Sequence, residues 1–243
     1  MLYLIGIGLW NEKDISLRGV DACKKCEYVY AELYTAKWGG NIEILGKIVG
    51  KNITIINRRD LEEKSKDIIE KARERDIAVL MPGDPLFATT HIKLLQEAKE
   101  KNIKTEVIHS SSIYTAVAES GLNVYNFGKT VSIPSPEENF QPISYYEEIA
   151  KNKAAGLHTL ILLDIEMTVQ DAMKILFEIE DEKKKKVIKE DNKIVVVSRL
   201  GSKNRIIKYD TASAISKESI PAPAAIIIPS KLHFIEEEFL EKL

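Results

Sequence analysis

Residues 77–87 read IAVLMPGDPLF, and this stretch decides the fold prediction. Ile77–Met81 is an apolar run of strand length, which predicts a buried strand. Pro82 and Pro85 stop it at once, because proline can neither continue a sheet ladder nor enter a helix interior. In open α/β sheets, ligands bind where such strands end at their carboxyl edge. The stretch therefore predicts both a buried sheet and the place of a binding site.

Strands and helices alternate on both sides of this stretch in the first half of the chain. The predicted strands are Leu2–Ile5, Tyr28–Ala31, Ile53–Ile56, Ile77–Met81 and Thr105–Ile108. The predicted helices are Ile15–Lys25 with Asp14 as its N-cap, Ile42–Val49, Leu61–Arg75, His91–Lys101 and Ser112–Glu119. Such alternation predicts a largely parallel sheet that is covered by helices on both faces.

The second half has a different pattern. Its predicted strands are Val131–Ile133, Thr159–Asp164, Ile194–Val197, Ile206–Tyr209 and Ala224–Ile228. Its predicted helices are Tyr145–Lys153, Val169–Ile179 and Ile235–Lys242. The third and fourth strands are close enough in sequence to pair as a hairpin. Because Pro134 and Pro136 interrupt the pattern between the halves, we expect an N-terminal α/β domain of residues 1–130 and a C-terminal α/β domain of residues 131–243.

The composition is ordinary for a globular protein. Hydrophobic residues make up 44% and charged residues 30% of the 243 residues, and the formal net charge is -2. This balance gives no electrostatic reason to expect direct contact with nucleic acid or an anionic membrane. Two cysteines cannot form a disulfide framework, and no apolar run reaches the roughly 18 residues of a membrane span. We therefore expect a cytoplasmic protein whose N-terminus is a first strand and no signal peptide.

The first of three candidate binding turns follows the first strand. Gly6-Ile7-Gly8-Leu9 lets the backbone approach a ligand closely, because glycine has no side chain. A dinucleotide fingerprint needs a third glycine, and Asn11 occupies that position. A phosphate site of that type, and with it a Rossmann oxidoreductase, is therefore disfavoured. A ligand-binding turn and a plain tight turn remain as alternatives.

The other two turns carry side chains that form hydrogen bonds. Asp84, between two prolines, is either an acceptor for hydroxyl or ammonium groups of a ligand or the acceptor of an Asx turn. Residues 110–112 are three serines that precede a predicted helix. Their hydroxyls either cap that helix or line a polar pocket wall, and the two roles are compatible.

Other chemical motifs are incomplete. Cys23 and Cys26 have the spacing of a zinc pair, but no second pair exists, so no metal site is predicted. The histidines show no ligand spacing and are interpreted as structural hydrogen-bonding groups. They are His91, His109, His158 and His233. Nucleophile elbows, Walker loops and zinc-protease motifs do not occur, which disfavours hydrolases and nucleotide triphosphatases. The residues alone predict an α/β enzyme that binds a small molecule.

Six blocks of sequence, in order along the chain, extend that prediction. They are Met1–Leu9, Gly83–Pro85 with Ala88–His91, Val107–His109 with Ser112–Ile113, His158–Leu160 with Leu162–Ile165, Arg199–Gly201 and Pro229–His233. Each block is unspecific alone, whereas six in register are specific. In these blocks the chain resembles the diphthine synthases, and the resemblance covers essentially its whole length.

The resemblance implies the tetrapyrrole-methylase type of fold, with two α/β domains, the cofactor in the cleft between them, and usually a homodimer. The implied cofactor is S-adenosylmethionine, and its product is S-adenosylhomocysteine. Carried over position by position, the cofactor contacts are Leu9, Asp84, Phe87, Ser112, Ile113, Leu163, Leu200 and Ala224. Residues 222–224 read Ala-Pro-Ala where the resemblance leads us to expect Pro-Leu-His.

The implied reaction is N-methylation of the 3-amino-3-carboxypropyl group on a histidine of translation elongation factor 2. Three methyls give diphthine, a step of diphthamide biosynthesis. Because the sulfonium is already activated, the protein has to align the reactants and exclude water. The amine attacks as the free base, yet the sequence identifies no general base and no catalytic residue. We hypothesise that aromatic rings stabilise the quaternary ammonium by cation–π contact. The candidate rings are Tyr3, Tyr34, Phe87 and Tyr114.

A protein acceptor needs an exposed docking surface. The candidate loops are Tyr34–Gly40 and Pro134–Pro142, which are poorly periodic and polar or aromatic. The alternative is that these loops cover the dimer seam. Two other functions stay open: a methylase of a corrin or porphyrin precursor, and a non-enzymatic module that senses the cofactor. A precursor with many carboxylates needs Arg and Lys, and the nearest basic groups are only Lys37, Arg58 and Arg59.

Overall fold

A computed structural model of the protein describes residues 1–63, 65–135 and 142–243. The chain divides into two compact units, Met1–Ala116 and Val117–Leu243. Each unit contains a five-stranded sheet with helices packed on it. The predicted fold class of two α/β domains is confirmed.

The sheet of the first unit is entirely parallel. Its strands are β1 (Leu2–Gly6), β2 (Tyr28–Glu32), β3 (Ile53–Ile56), β4 (Ile77–Met81) and β5 (Thr105–Ile108). They are arranged in the order β3-β2-β4-β1-β5. Every residue of β1 and β4 is buried, which explains why both strands are continuous apolar runs. Since β4 and β5 are the two neighbours of β1, the turns after these three strands lie at one edge of the sheet.

Helices cover both faces of this sheet, as predicted. They are α1 (Leu17–Lys25), α2 (Ile42–Val49), α3 (Ser65–Glu74), α4 (Ile92–Glu100) and α5 (Ile113–Ala116). Side chains alternate along a strand, so Leu2 and Leu4 pack with α3 and α4, and Tyr3 and Ile5 pack with α1 and α2. A π-helical turn precedes α3 and replaces the first turn of the helix that was predicted from Leu61.

The helix α1 begins later than predicted, and Asp14 is not its N-cap. Ser16 is the N-cap, and its side chain accepts a hydrogen bond from the first turn of the helix. The Asp14 carboxylate instead accepts from the backbone N–H groups of Trp10 at 2.7 Å and Asn11 at 3.1 Å. Asp14 therefore closes the turn after β1, and the helix has to start beyond that turn.

The sheet of the second unit is mixed. Its strands are β6 (Val131–Ile133), β7 (Thr159–Leu163), β8 (Lys193–Ser198), β9 (Ile206–Thr211) and β10 (Ala224–Ile228). They are arranged in the order β6-β7-β10-β8-β9. Only β6 and β7 pair in parallel, and β8 and β9 form the predicted hairpin. The last strand in sequence, β10, lies between β7 and β8 and is antiparallel to both.

Helices and short turns complete the second unit. The helices are α6 (Ser144–Ala154), α7 (Val169–Lys183), α8 (Ala212–Ile215) and α9 (Phe234–Leu240), and the 3-10 turns are Val117–Ser120 and Val124–Asn126. Residues of α6, α7 and α8 form one apolar cluster with the inner strands. In the described ranges, no helix is long and apolar enough to cross a membrane.

The division between the units falls earlier than the boundary expected after residue 130. The segment before β6 belongs to the second unit because the side chain of Glu236, in α9, holds it. Glu236 Oε1 accepts from the backbone N–H of Asn123 at 2.7 Å and from Asn126 Nδ2 at 3.1 Å. Pro134 lies inside this second unit.

Candidate functional site

Two glycine turns meet at the carboxyl edge of the first sheet. Gly8 N donates to Gly83 O at 3.2 Å, and Gly83 N donates to Gly8 O at 2.8 Å. Both residues are in the left-handed region, with φ of 83° and 66°, which favours glycine. The turn after β1 and the turn after β4 are thus joined by a reciprocal pair of hydrogen bonds.

The turn after β5 packs against the same two turns. A Cβ atom on Gly6 would lie 2.5 Å from Gly83 O and 2.8 Å from the Cβ of Ser110, so no side chain fits there. A Cβ on Gly83 would lie 3.6 Å from the Cβ of Ser112. The three turns identified in the sequence therefore converge at one edge, which is where ligands bind in α/β sheets.

Asp84 forms an Asx turn, which is one of the two roles that the sequence left open. Its Oδ1 accepts from the backbone N–H of Leu86 at 3.1 Å, which is the Asx turn. Its Oδ2 accepts from His109 Nδ1 at 2.8 Å and from the backbone N–H of Ser110 at 3.3 Å. The side chain is still 16% exposed. The carboxylate is therefore fixed in orientation, and part of it is exposed at this edge.

His109 also lies at this edge, although the sequence analysis interpreted it only as a structural hydrogen-bonding group. Its side chain is 68% exposed, and it contacts a carboxylate rather than a structural partner inside the core. The sequence signal was its position: His109 directly follows β5, and Asp84 follows β4. Since both strands flank β1, the two residues belong at the same edge.

Five of the predicted cofactor contacts lie on these turns. They are Leu9, Asp84, Phe87, Ser112 and Ile113. The rings of Phe87 and Tyr114 are tilted against each other with centroids 4.9 Å apart, which gives the edge an aromatic side. Ser112 is buried at the start of α5, and its backbone contacts the hydroxyl of Thr115.

The other three predicted contacts come together within the second unit. Leu163 ends β7, Ala224 begins β10, and Leu200 follows the end of β8. Ala224 is opposite Ser198 and Ala225 is opposite Leu162, so the three predicted residues lie at one edge of the second sheet.

The loop of Leu200 is tied to the segment before β10. Arg199 has a φ of 50°, its backbone N–H donates to Pro223 O at 2.9 Å, and its Nε donates to Ala222 O at 3.0 Å. Leu200 is buried, whereas Leu163 and Ala224 are partly exposed. These two hydrogen bonds, one from the backbone and one from the side chain of Arg199, fix the geometry of the segment where the sequence departs from the expected Pro-Leu-His.

The structure narrows the set of four aromatic rings that were candidates for cation–π contact with the quaternary ammonium. Tyr3 is paired with Ala78 and Glu106 toward the start of the strands, and it packs in the core, so it is excluded from the edge. The ring of Tyr34 already makes a cation–π contact with the guanidinium of Arg58, which lies 5.5 Å from the ring centroid. Of the four candidate rings, Phe87 and Tyr114 are the two that contact each other at this edge.

The cysteines are buried free thiols. Burial raises the pKa of Cys23 to about 12 and that of Cys26 to about 11, so both stay protonated near neutral pH. A protonated thiol is a poor metal ligand and a poor nucleophile. Among the described residues, no group of three or more His, Cys, Asp or Glu side chains has the arrangement of a metal site.

The first candidate docking loop, Tyr34–Gly40, lies beside the turn after β1. The fully buried carboxylate of Glu32 accepts from the first two backbone N–H groups of the loop. Near its end, Gly39 N donates to Trp10 O at 2.9 Å. Of the second candidate loop, Pro134–Pro142, all but the ends lie outside the described residues.

Comparison with known proteins gives a consistent result. Residues 1–215 match the family of Tetrapyrrole (Corrin/Porphyrin) Methylases. The chain is 43% identical to the diphthine synthase of Methanocaldococcus jannaschii over 253 aligned positions, which cover 100% of this chain and 98% of that protein. It is 44% identical to the diphthine synthase of Methanosphaera stadtmanae, with 99% and 94% covered. A solved structure of a diphthine synthase has a TM-score of 0.90 at 34% identity, with 99% of this chain and 94% of that chain covered.

Proposed function

Since the chain belongs to the tetrapyrrole methylases and, within them, to the diphthine synthases, we propose that it methylates translation elongation factor 2. The chain is an S-adenosylmethionine-dependent methyltransferase of diphthamide biosynthesis. We propose that the acceptor is the amino group of 3-amino-3-carboxypropyl-histidine and that three methyls are added to give diphthine. The observation that carries this proposal is the similarity to archaeal diphthine synthases over 100% of the chain.

The residues at the edge of the first sheet fit the proposed cofactor. The cofactor has an amino acid part, ribose hydroxyls and an apolar adenine ring. Asp84 offers a carboxylate acceptor for the ammonium or hydroxyl groups, and Leu9, Phe87 and Ile113 offer partly buried apolar surface for the ring. Leu163, Leu200 and Ala224, in the second unit, belong to the set of contacts that the family resemblance implies.

When bound, S-adenosylmethionine supplies the methyl group as an activated electrophile on sulfur. The work left to the protein is to bind, orient and exclude water. Asp84 is suited to orientation because Leu86, His109 and Ser110 fix its two oxygens. The Phe87–Tyr114 pair is the proposed neighbour of the quaternary ammonium, because ring faces stabilise a cation that has no N–H to donate.

Intact-protein mass spectrometry tests the proposed acceptor. Elongation factor 2 from a strain that lacks the methylase would be incubated with the parent chain and S-adenosylmethionine. We expect a mass gain of three methyl increments, and no gain on factor without the aminocarboxypropyl group. The absence of any gain, with cofactor binding shown by calorimetry, would refute the acceptor while leaving the methyltransferase assignment in place.

A corrin or porphyrin precursor is the second candidate acceptor, because the family that matches residues 1–215 is defined by such methylases. The same incubation with a polycarboxylate tetrapyrrole precursor separates the two. Methylation of the precursor, with none on elongation factor 2, would favour this alternative.

We also propose that the chain acts in the cytoplasm as a homodimer. The cytoplasm is where an elongation factor is available as a substrate. Light scattering after size exclusion measures the oligomer directly, and a monomer at micromolar concentration would contradict the dimer.

A further inference from the structure

The Asp84–His109 pair leaves one nitrogen of the imidazole with a lone pair. Asp84 Oδ2 lies 2.8 Å from His109 Nδ1, and an ionised carboxylate only accepts. The proton of the neutral ring is therefore on Nδ1, and Nε2 carries the lone pair. The side chain is 68% exposed, and no other partner of this imidazole occurs among the described residues. A carboxylate that fixes the tautomer in this way is the arrangement of an oriented general base.

The other histidines do not combine an exposed side chain with a lone pair on Nε2. Nδ1 of His158 accepts from Ser230 N at 2.9 Å, and Nδ1 of His233 accepts from Ile235 N at 3.4 Å. Both neutral rings therefore carry their proton on Nε2. His91 is buried beneath the Asp84 turn, with its Nδ1 3.2 Å from Pro85 O. Of these histidines, His109 alone combines a lone pair on Nε2 with an exposed side chain.

We propose that His109 is the general base of the methyl transfer, an inference that rests on the proposed function. The acceptor nitrogen is an ammonium near neutral pH, and it must lose a proton before it can attack. His109 Nε2 takes that proton, and the freed electron pair of the nitrogen forms the N–C bond. The C–S bond breaks, and its electrons stay on sulfur as the neutral thioether. His109 then releases the proton to water through its exposed side, ready for the next transfer.

The placement of His109 suits this role. Its partner Asp84 belongs to the proposed cofactor contacts, so the base is attached to the loop that orients the methyl donor. The Asp84 carboxylate holds the ring through Nδ1, so Nε2 keeps its orientation while it takes up a proton. The aromatic pair Phe87 and Tyr114 lies on the turns of the same edge, where the methylated ammonium is proposed to accumulate.

The variant His109→Asn separates a base from a residue that only positions Asp84. The Asn amide can donate to Asp84 in place of Nδ1, but it cannot take a proton. We expect kcat for the methylation of elongation factor 2 to fall by about 100-fold or more, the usual contribution of general base catalysis. The dissociation constant for S-adenosylmethionine, measured by calorimetry, is expected to stay within about twofold because the donor to Asp84 is retained.

His233→Asn is the matched control. His233 is also exposed and also uses Nδ1, but as the N-cap of α9, a role that asparagine performs equally well. We expect its kcat to equal that of the parent chain. Adding free imidazole to His109→Ala supplies the missing base, and we expect it to restore part of kcat, whereas it leaves the parent chain unchanged.

Retained kcat in His109→Asn would overturn the proposal, and so would a loss explained entirely by weaker cofactor binding. Failure of imidazole to raise the rate of His109→Ala would also count against it. If the parent chain itself does not methylate the factor, the proposed acceptor is wrong, and the role of His109 toward that acceptor is wrong with it. If the parent chain methylates the factor and the His109 variants keep full activity, only the role of His109 as general base is refuted.

Discussion

The two units each contain a carboxylate–imidazole pair, and the two pairs differ in distance, in exposure and in their place in the fold. In the first unit, Asp84 and His109 are 2.8 Å apart, with side chains 16% and 68% exposed. In the second unit, Glu236 and His158 are 3.3 Å apart, with side chains 3% and 0% exposed. The first pair lies at a sheet edge beside three turns, and the second lies in the packed interior.

The two pairs also differ in the hydrogen bonds that their other atoms make. Both nitrogens of His158 are used, because Nδ1 accepts from Ser230 and Nε2 donates to Glu236. Glu236 also accepts from the backbone N–H groups of Asn123 and His233, both at 2.7 Å. This pair is a structural latch that joins α9 to the segment before β6. A carboxylate–imidazole pair becomes reactive only when burial and further partners leave one nitrogen accessible.

Removing the buried carboxylate is expected to have the largest effect. Glu236→Ala leaves several donors without an acceptor inside the second unit, including a backbone N–H of the segment before β6. We expect a loss of about 3 to 5 kcal/mol in the free energy of unfolding, the usual result of removing one member of a buried polar pair. Urea unfolding followed by circular dichroism measures it.

The neighbouring Glu237→Ala is the control for this variant, because Glu237 is exposed on the same helix. We expect it to change the free energy of unfolding by less than about 0.5 kcal/mol. Equal stability of the two variants would show that the latch contributes nothing, and the contrast between the two pairs would fail.

The charge of Glu236 predicts a smaller effect that depends on pH. Burial raises the pKa of this carboxyl, but hydrogen bonds from His233, Asn123 and Asn126 lower it more, so the pKa lies below its ordinary value of 4.5. A carboxyl with a lowered folded-state pKa stabilises the fold above its unfolded pKa and loses that contribution as the pH falls through the folded pKa.

Glu236→Gln isolates this contribution because it removes the charge and keeps the size of the side chain. We expect the parent chain to be more stable than the variant at pH 7, and the difference to shrink as the pH is lowered from 4.5 toward the folded pKa. Urea unfolding at a series of pH values checks it. A difference that stays constant down to pH 3 would contradict the assigned pKa direction.

Most strands were predictable from the sequence, and their order in the second sheet was not. The parallel strands of the first unit are short apolar runs between charged helices, and β3, β4 and α2 have the predicted bounds. The position of β10 between β7 and β8 depends on pairing between residues that are distant in sequence. Local periodicity contains no information about such pairing.

The part of the candidate site that was predictable consists of the turns at which particular residue types end a strand. The turns at Gly8, Asp84 and Ser112 were identified because glycine, proline and serine interrupt apolar runs there. The role of Asp14 was misassigned because its carboxylate closes a turn, which competes with capping a helix. The contact of His109 was not predictable because the histidines were judged by mutual spacing, while its partner is a carboxylate 25 positions away.

The smallest expected effect on stability is that of removing the imidazole of His109, and it is compared with the removal of the imidazole of His158. His109→Ala removes a hydrogen bond at an exposed edge, where water replaces the lost donor. We expect the free energy of unfolding to change by about 0.5 kcal/mol or less. His158→Ala leaves a cavity and removes the partners of Glu236 and of Ser230 N, so we expect a loss of about 2 to 4 kcal/mol.

Thermal and urea unfolding of the two alanine variants, side by side with the parent chain, measure this difference. If His109 were a structural residue like His158, its removal would lower stability to a similar extent, and any loss of methylation would follow from partial unfolding. A stable His109→Ala protein with impaired transfer places the effect at the sheet edge, because a group that contributes little to folding free energy can affect the rate only through the reaction or its ligands.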